Sequence, residues 1–264
     1  MLKFATWNVN SVKARLPIVT GWLESVRPDV LLLQELKCET GAFPSESFET
    51  LGYAGAVVGQ KAYNGVALLV RRGLSACDVL TALPGCSEDA QARYVEATVA
   101  GVRVASLYLP NGNPVESEKY PYKLRWMDRL RAHVAGLLAA EVPLVLGGDF
   151  NIIPEPEDVY APAEWEGDAL FRPESRRSYR ALVNLGLTDV FRALHPGEPR
   201  AWTFWDYQAG RWPRDQGLRI DHFLLAPQTA DRLVSCRVDR TPRGLEKASD
   251  HTPVVMELAR DRGY

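Results

Sequence analysis

Seven short apolar runs constrain the fold of this chain more than any other feature: 3–9, 29–35, 65–72, 102–109, 143–150, 220–226 and 252–258. Each is too short for a stable helix and is rich in β-branched or aromatic residues, so each reads as a strand. Several are apolar on both faces, which an extended chain tolerates only when layers cover it on both sides. Helical spacing fills some of the gaps, at 11–26, 118–140 and 175–185. Pro17 sits within the first turns of the first helix or kinks it. In 118–140, Leu124, Met127, Leu130, Val134, Leu137 and Leu138 fall on one side. The segment 154–178 carries Pro154, Pro156, Pro162 and Pro173 among many charges and reads as a long loop. The pattern predicts one α/β domain over residues 1–264, with two stacked sheets and helices outside them.

The runs share a second property: they stop at acids and amides. In "PLVLGGDFNIIP" (143–154) a hydrophobic climb ends at Asp149 and Asn151. Residues two apart in an extended chain face the same way, and Gly147 and Gly148 admit close approach to the backbone. The first run ends at Asn8 and Asn10, the second at Glu35, and the fourth at Tyr108 followed by Asn111. Asp221 lies among apolar neighbours, and Asp250 and His251 precede the last run. Asp, Asn and Gly are ordinary turn residues, so each strand end alone is unremarkable. A carboxylate within an apolar run is costly unless it is paired or binds a metal, and five such runs point to one shared site. His133 and His195 read as structural, and His222 should face opposite to Asp221.

Thirty-one Lys and Arg against 33 Asp and Glu leave a formal charge of −2, so bulk charge does not favour a polyanion. A local basic face is compatible with that balance. Its candidates are Lys119, Lys123, Arg125, Arg172, Arg176, Arg177, Arg180, Arg211, Arg214 and Lys247. Cys38, Cys77, Cys86 and Cys236 lie far apart without zinc-ligand spacing, which suggests a cytoplasmic protein. No apolar stretch reaches membrane-spanning length, since Glu141 and Pro143 break the longest, and the first residues lack a signal-peptide core.

"PDVLLLQELK" (28–37), "GGDFNIIP" (147–154), "GLRIDHFLLA" (217–226) and "SDHTPV" (249–254), in that order, resemble exonuclease III and its relatives. Those abasic-site endonucleases lie within the endonuclease/exonuclease/phosphatase group. The likeness runs from Lys3 to about Leu258. "DVFRA" (189–193) departs from the family by lacking a hydroxyl residue after the Asp. Asp215 and Ala226 stand where relatives often have Asn and Ser. None of these departures touches an expected catalytic group.

The resemblance implies a four-layer α-β-β-α sandwich of two packed mixed sheets with outer helices. It also implies phosphodiester hydrolysis assisted by Mg²⁺ or Mn²⁺, cations that favour oxygen ligands. Glu35 would be the direct ligand, with Asn8 and Asp250 beside it and Asp149 and Asn151 completing the metal-site residues. Asp149 would orient or deprotonate water, or protonate the leaving group. Asn151 would bond that water or a phosphate oxygen. Tyr108 would act on the phosphate or leaving group, and His251, fixed by Asp221, on a non-bridging oxygen. Phe204, Leu218 and Ile220 would line an apolar pocket for a flipped base-free sugar or terminal nucleotide. Asn10 and Asn111 would contact substrate, and Arg219 would turn toward DNA or a buried acid. Trp202 and Trp205 read as core. In the 160–171 loop, Trp165 or Glu166 would tune access.

The expected substrate is double-stranded DNA with 3′ ends, nicks or abasic sites, acted on by a monomer away from membranes. The alternatives are a relative acting on RNA or phospholipid head groups, or a silent nucleic-acid-binding regulator.

Overall fold

The computed structural model describes residues 1–260. In chain order its elements are β1 (Leu2–Asn8), α1 (Val12–Val26), β2 (Val30–Gln34), α2 (Ser45–Thr50), β3 (Tyr53–Val58), β4 (Val66–Arg71), β5 (Ala76–Leu80), β6 (Tyr94–Val99) and β7 (Val102–Tyr108). There follow α3 (Lys119–Ala139), β8 (Leu144–Asp149), α4 (Pro162–Trp165), α5 (Pro173–Val183), β9 (Thr188–Asp189), α6 (Val190–Leu194), β10 (Asp221–Leu225), α7 (Pro227–Ala230), β11 (Leu233–Val238) and β12 (Val254–Leu258).

All seven expected runs are strands. Five others were not legible as such. β3, β5 and β11 are sheet-edge strands with largely uncovered residues, and β9 is only two residues long. β6 is interior, but Glu96 interrupts its apolar pattern. That buried carboxylate is tied to Tyr94, Arg103 and His133, which also makes His133 structural. The 154–178 segment is not a continuous loop: it holds α4, and Pro173 opens α5 at a position where its missing N–H costs nothing.

The strands form two six-stranded mixed sheets, ordered β11-β12-β1-β2-β4-β3 and β5-β6-β7-β8-β10-β9. Phe4, Leu32, Leu68, Val104, Val145, Phe223 and Met256 fill the space between them. The alternate residues Ala5, Trp7, Leu31 and Leu33 pack outward against Val19, Trp22 and Leu23 of α1. On the opposite outer face, Ala105 and Leu146 meet Trp126, Met127, Leu130 and Val134 of α3 and Tyr179 of α5. This is the expected four-layer sandwich, and it explains why the central strands are apolar on both faces. Trp202 and Trp205 are buried, as read from the sequence.

The buried stripe of α3 is rotated from the expected one. It runs through Tyr120, Lys123, Trp126, Met127, Leu130 and Val134, leaving Leu124 at its margin and placing a lysine inside.

Gly147 and Gly148 serve the sandwich itself. A Cβ on Gly147 would lie 2.5 Å from Phe223 Cε1 and 2.6 Å from Leu32 Cδ1, a side chain of the other sheet. A Cβ on Gly148 would lie 2.0 Å from the Leu107 carbonyl oxygen. The approach these glycines permit is that of neighbouring strands, not of a ligand. Overpacking a core costs about 1–3 kcal/mol. Gly147→Ala is therefore expected to lower unfolding stability by about 2 kcal/mol, read from the urea midpoint at unchanged slope.

Candidate active site

One edge of the sandwich collects the polar residues, and strand direction is the reason. β1 runs parallel to β2, and β7 parallel to β8, so Asn8, Glu35, Tyr108 and Asp149 all fall at C-terminal strand ends. β10 runs antiparallel to β8 and starts with Asp221 opposite Asp149. β12 runs antiparallel to β1, so Asp250 and His251, which precede it, return to the same edge.

A cavity of about 290 Å³ opens there. Its lining combines Glu35, Tyr108, Asn111, Asp149, Asn151, Asp250 and His251 with the apolar Trp165, Leu170, Phe204, Leu218 and Ile220. A larger cavity of about 650 Å³ lies between residues 85–91 and α3. There Asp89 is already engaged by Tyr122 and Arg129, and Glu88 and Asp128 line the same space, but no imidazole accompanies these acids as His251 does at the strand ends.

The centre of the site is a buried acid–imidazole–acid line. His251 Nδ1 is 2.8 Å from Asp221 Oδ2, and His251 Nε2 is 3.7 Å from Asp149 Oδ2. Burial opposes charge on His251, but the carboxylates of Asp221 and Asp149 outweigh it and raise the imidazole to about 10. Asp149 is raised to about 7, chiefly by burial, with the His251 charge and an Asn8 hydrogen bond pulling the other way. An imidazolium and a carboxyl group that exchanges its proton near neutrality thus share one wall. Asp221 itself lies behind His251, its Oδ1 buried without a partner. Phe204 packs against the His251 ring at 4.9 Å, edge to face.

Asn8 is fully buried behind Asp149. Its amide donates to Asp149 Oδ2 at 2.9 Å, and its own oxygen accepts from the Asn10 N–H at 3.0 Å. It thus faces Asp149 and the turn, not the cavity, which corrects its expected place as a metal ligand. Asn10 bridges two charges instead: it donates to Asp250 Oδ1 at 3.0 Å and accepts from Lys37 Nζ at 2.5 Å. The Lys37 ammonium also lies 3.0 Å from Glu35 Oε1. Lys37, two residues after Glu35, is a site residue the sequence reading passed over; Asp206 and Asn113 on the cavity wall are two more.

Asn151 and Asp149 do face the same cavity, though not as alternate residues of a strand. β8 ends at Asp149, and Asn151 is left-handed, at φ 47°. Its N–H turns back to Asp149 Oδ1 at 2.8 Å, while its side chain accepts from Asn111 at 3.1 Å and donates to the Leu109 carbonyl. Tyr108 carries the guanidinium of Arg93 over its ring. Burial and the nearby Glu35 and Asp149 push its phenol well above the ordinary range, so it enters neutral chemistry protonated.

The oxygens of Glu35 and Asp250 on one wall, with no sulfur ligand near, suit a hard divalent cation. Asp149, Asp221 and His251, whose ligand atoms lie within 4.8 Å of one another, form a second group able to hold a metal.

Arg219 is corrected as a substrate-binding residue. It is 1% exposed and reaches inward, clamped by Asp158 at 2.7 Å and Asp189 at 3.0 Å, so it resolves toward buried acids. His222 closes this strut, its Nδ1 3.0 Å from Arg219 and its Nε2 3.1 Å from the Ile152 carbonyl. It faces away from the site, as expected. The strut holds Leu218 and Ile220 in the wall. His195 is likewise structural, against the Cys236 carbonyl. Trp165 reaches the cavity; Glu166 is exposed and outside it. Lys123, placed by sequence on a basic face, is fully buried, and burial lowers its ammonium to about 7.

Two mixed sheets with a histidine–carboxylate site at one edge define a sandwich hydrolase, and the pattern of the endonuclease/exonuclease/phosphatase family matches residues 5–251. The chain belongs to that family. Exodeoxyribonuclease III of Haemophilus influenzae is 33% identical to it, covering 97% of this chain and 100% of that protein. The structure of 3′ phosphatase NExo from Neisseria bound to a product DNA hairpin is 40% identical, with a TM-score of 0.94, over 98% of this chain and 100% of that one. An AP endonuclease from Archaeoglobus fulgidus is also 40% identical, with a TM-score of 0.93, over 98% of this chain and 99% of that one. The resemblance read from the four sequence blocks therefore holds. No helix among the described residues is long and apolar enough to cross a membrane.

The strut gives a pH test. Burial and the Arg219 charge lower His222 from 6.5 to about 4. The unfolded chain takes up its proton below the ordinary value, while the folded one does so only near the lowered value. Stability therefore falls as pH falls through that window, by roughly 2 kcal/mol between about pH 7 and 5. In His222→Gln that part of the loss is expected to vanish, seen as a shallower drop of Tm with acidification.

Proposed function

We propose that this chain is a Mg²⁺-dependent phosphodiesterase of the exonuclease III type, trimming and cleaning 3′ ends of duplex DNA and incising abasic sites to an extent set by Trp165. The observation that carries the reading is the mixed lining of the cavity: the His251–carboxylate cluster lies beside an apolar patch of Phe204, Leu218 and Ile220. A phosphate ester fits the polar part and a sugar turned out of the duplex fits the apolar part. A regulator without turnover would not need the polar part, and a headgroup phosphatase would not need the apolar one.

Glu35 and Asp250 would hold the cation, and a bound Mg²⁺ would supply neutralising charge to the phosphate and the departing oxygen. Asp149, with its raised proton affinity and its orientation fixed by Asn8, accepts at its carboxylate the proton that the attacking water gives up. His251, kept charged by Asp221, donates from Nε2 to a non-bridging oxygen. The protonated Tyr108 donates to the phosphate or leaving oxygen, and Asn151 and Asn111 offer amide donors to the same group. Exposed Arg125, Arg177, Arg180, Arg214, Lys119 and Lys247 are suited to follow the DNA backbone. A monomer in the cytoplasm is the proposed state, in keeping with four cysteines that are all free thiols.

Glu35→Gln is expected to lower kcat on a recessed 3′ end by at least about a hundredfold, while DNA Kd measured in EDTA stays within twofold. Unchanged turnover would overturn the assignment of Glu35. Trp165 forms part of the apolar wall, so Trp165→Ala should widen it. Incision of an internal abasic analogue is expected to rise relative to 3′-end removal, and an unchanged ratio of the two kcat/KM values would refute the tuning role.

A further inference from the structure

We propose that Lys123 is a positioning residue that sets Asn111 and Asn151 against the scissile phosphate by holding both of their backbone carbonyls, an inference that rests on the hydrolase reading above. Its side chain is 0% exposed, inside the buried stripe of α3. Nζ donates to the Asn151 carbonyl at 2.6 Å and to the Asn111 carbonyl at 3.0 Å. Among the described residues no carboxylate oxygen comes within 4.0 Å of it, so its hydrogen-bonding capacity goes to those two loops rather than to an ion pair. Burying an ammonium without a counter-ion is costly, and only a compensating arrangement sustains it.

That arrangement is the crossing of two cavity-wall loops. One leaves β7 and carries Asn111; the other leaves β8 and carries Asn151. Their side chains meet at 3.1 Å, above the ammonium that joins their main chains. Asn151 is in the left-handed region, and a carbonyl anchored below it fixes that unusual turn. Gly112 makes room: a Cβ there would lie 2.8 Å from Lys123 Cδ and 3.0 Å from the Ala169 Cβ. The charges that favour the ammonium, without contacting it, are those of Asp168 and Asp149.

Lys123→Met keeps length and apolar bulk but removes every donor. On a duplex with a recessed 3′ end, this variant is expected to lose about a hundredfold in kcat with DNA Kd within twofold. Lys123→Gln, which keeps an amide NH₂ donor on a shorter, uncharged side chain, should fall between it and the parent. If Lys123 acts through these two amides, Lys123→Met should cost less than threefold further in an Asn111→Ala/Asn151→Ala background. A kcat within threefold of the parent, or losses that multiply in that background, would overturn the proposal. If Lys123→Met does not fold, Lys123→Gln decides: parental kcat overturns, a clear loss with parental Kd supports. If the parent protein turns over no DNA, the hydrolase reading fails instead. The clamp is then read from the side-chain amide resonances of Asn111 and Asn151. A shift of both in Lys123→Gln supports it, and unmoved resonances overturn it.

Discussion

The bare backbone of Gly147 governs how this sandwich closes beneath its catalytic edge. Leu32 from one sheet and Phe223 from the neighbouring strand occupy the space a side chain would need. Two residues further along β8 lies Asp149, and Asn8, from the opposite sheet, can reach it at 2.9 Å because the sheets are this near. Everything polar at the edge is built outward from that cross-sheet contact. Asp221 is in register with Asp149, His251 lies against both, and the β7 and β8 loops carry the amides.

Buried charge is the second organising fact. Asp149, Asp221, His251, Lys123, Arg219, Asp158 and Asp189 are removed from bulk water to differing degrees, and each is matched by partners of a different kind. Arg219 meets two carboxylates and becomes a strut. Lys123 meets two carbonyls and joins loops. His251 meets carboxylates on both ring edges and stays charged. The same cost of desolvation produces a structural brace in one place and a reactive cluster in another, according to what faces the cavity.

Much of this was legible in the sequence because strands that end in acids announce both the layers and the site. The central strands β1, β2, β4, β7, β8, β10 and β12 carry predominantly apolar runs; edge strands such as β5 and β11 do not, since half their residues face water. Glu96 hid β6 because one residue's partners in space are not written beside it. Asn8 was misjudged for a related reason. Its position at a strand end is visible, but whether its oxygen faces the cavity or a neighbouring N–H depends on a turn of two residues. Lys123 looked like a surface charge, although its three-residue spacing from Tyr120 and Trp126 already placed it on the covered side of α3. The left-handed turn at Asn151 left no sequence trace beyond the Asn itself, which favours that conformation.

The clustering of Glu35, Asp149, Asp206 and Asp250 around one cavity, against Lys37 and the His251 imidazolium, gives the cavity a net anionic character. A phosphodiester entering alone would meet repulsion, which a divalent cation bound beside it would offset. Each would therefore strengthen the other's binding, and thermodynamic linkage requires the two enhancements to be equal. In the proposed hydrolase, nucleic acid would thus act as an effector of metal affinity, with the cation held most firmly where there is a strand to cut.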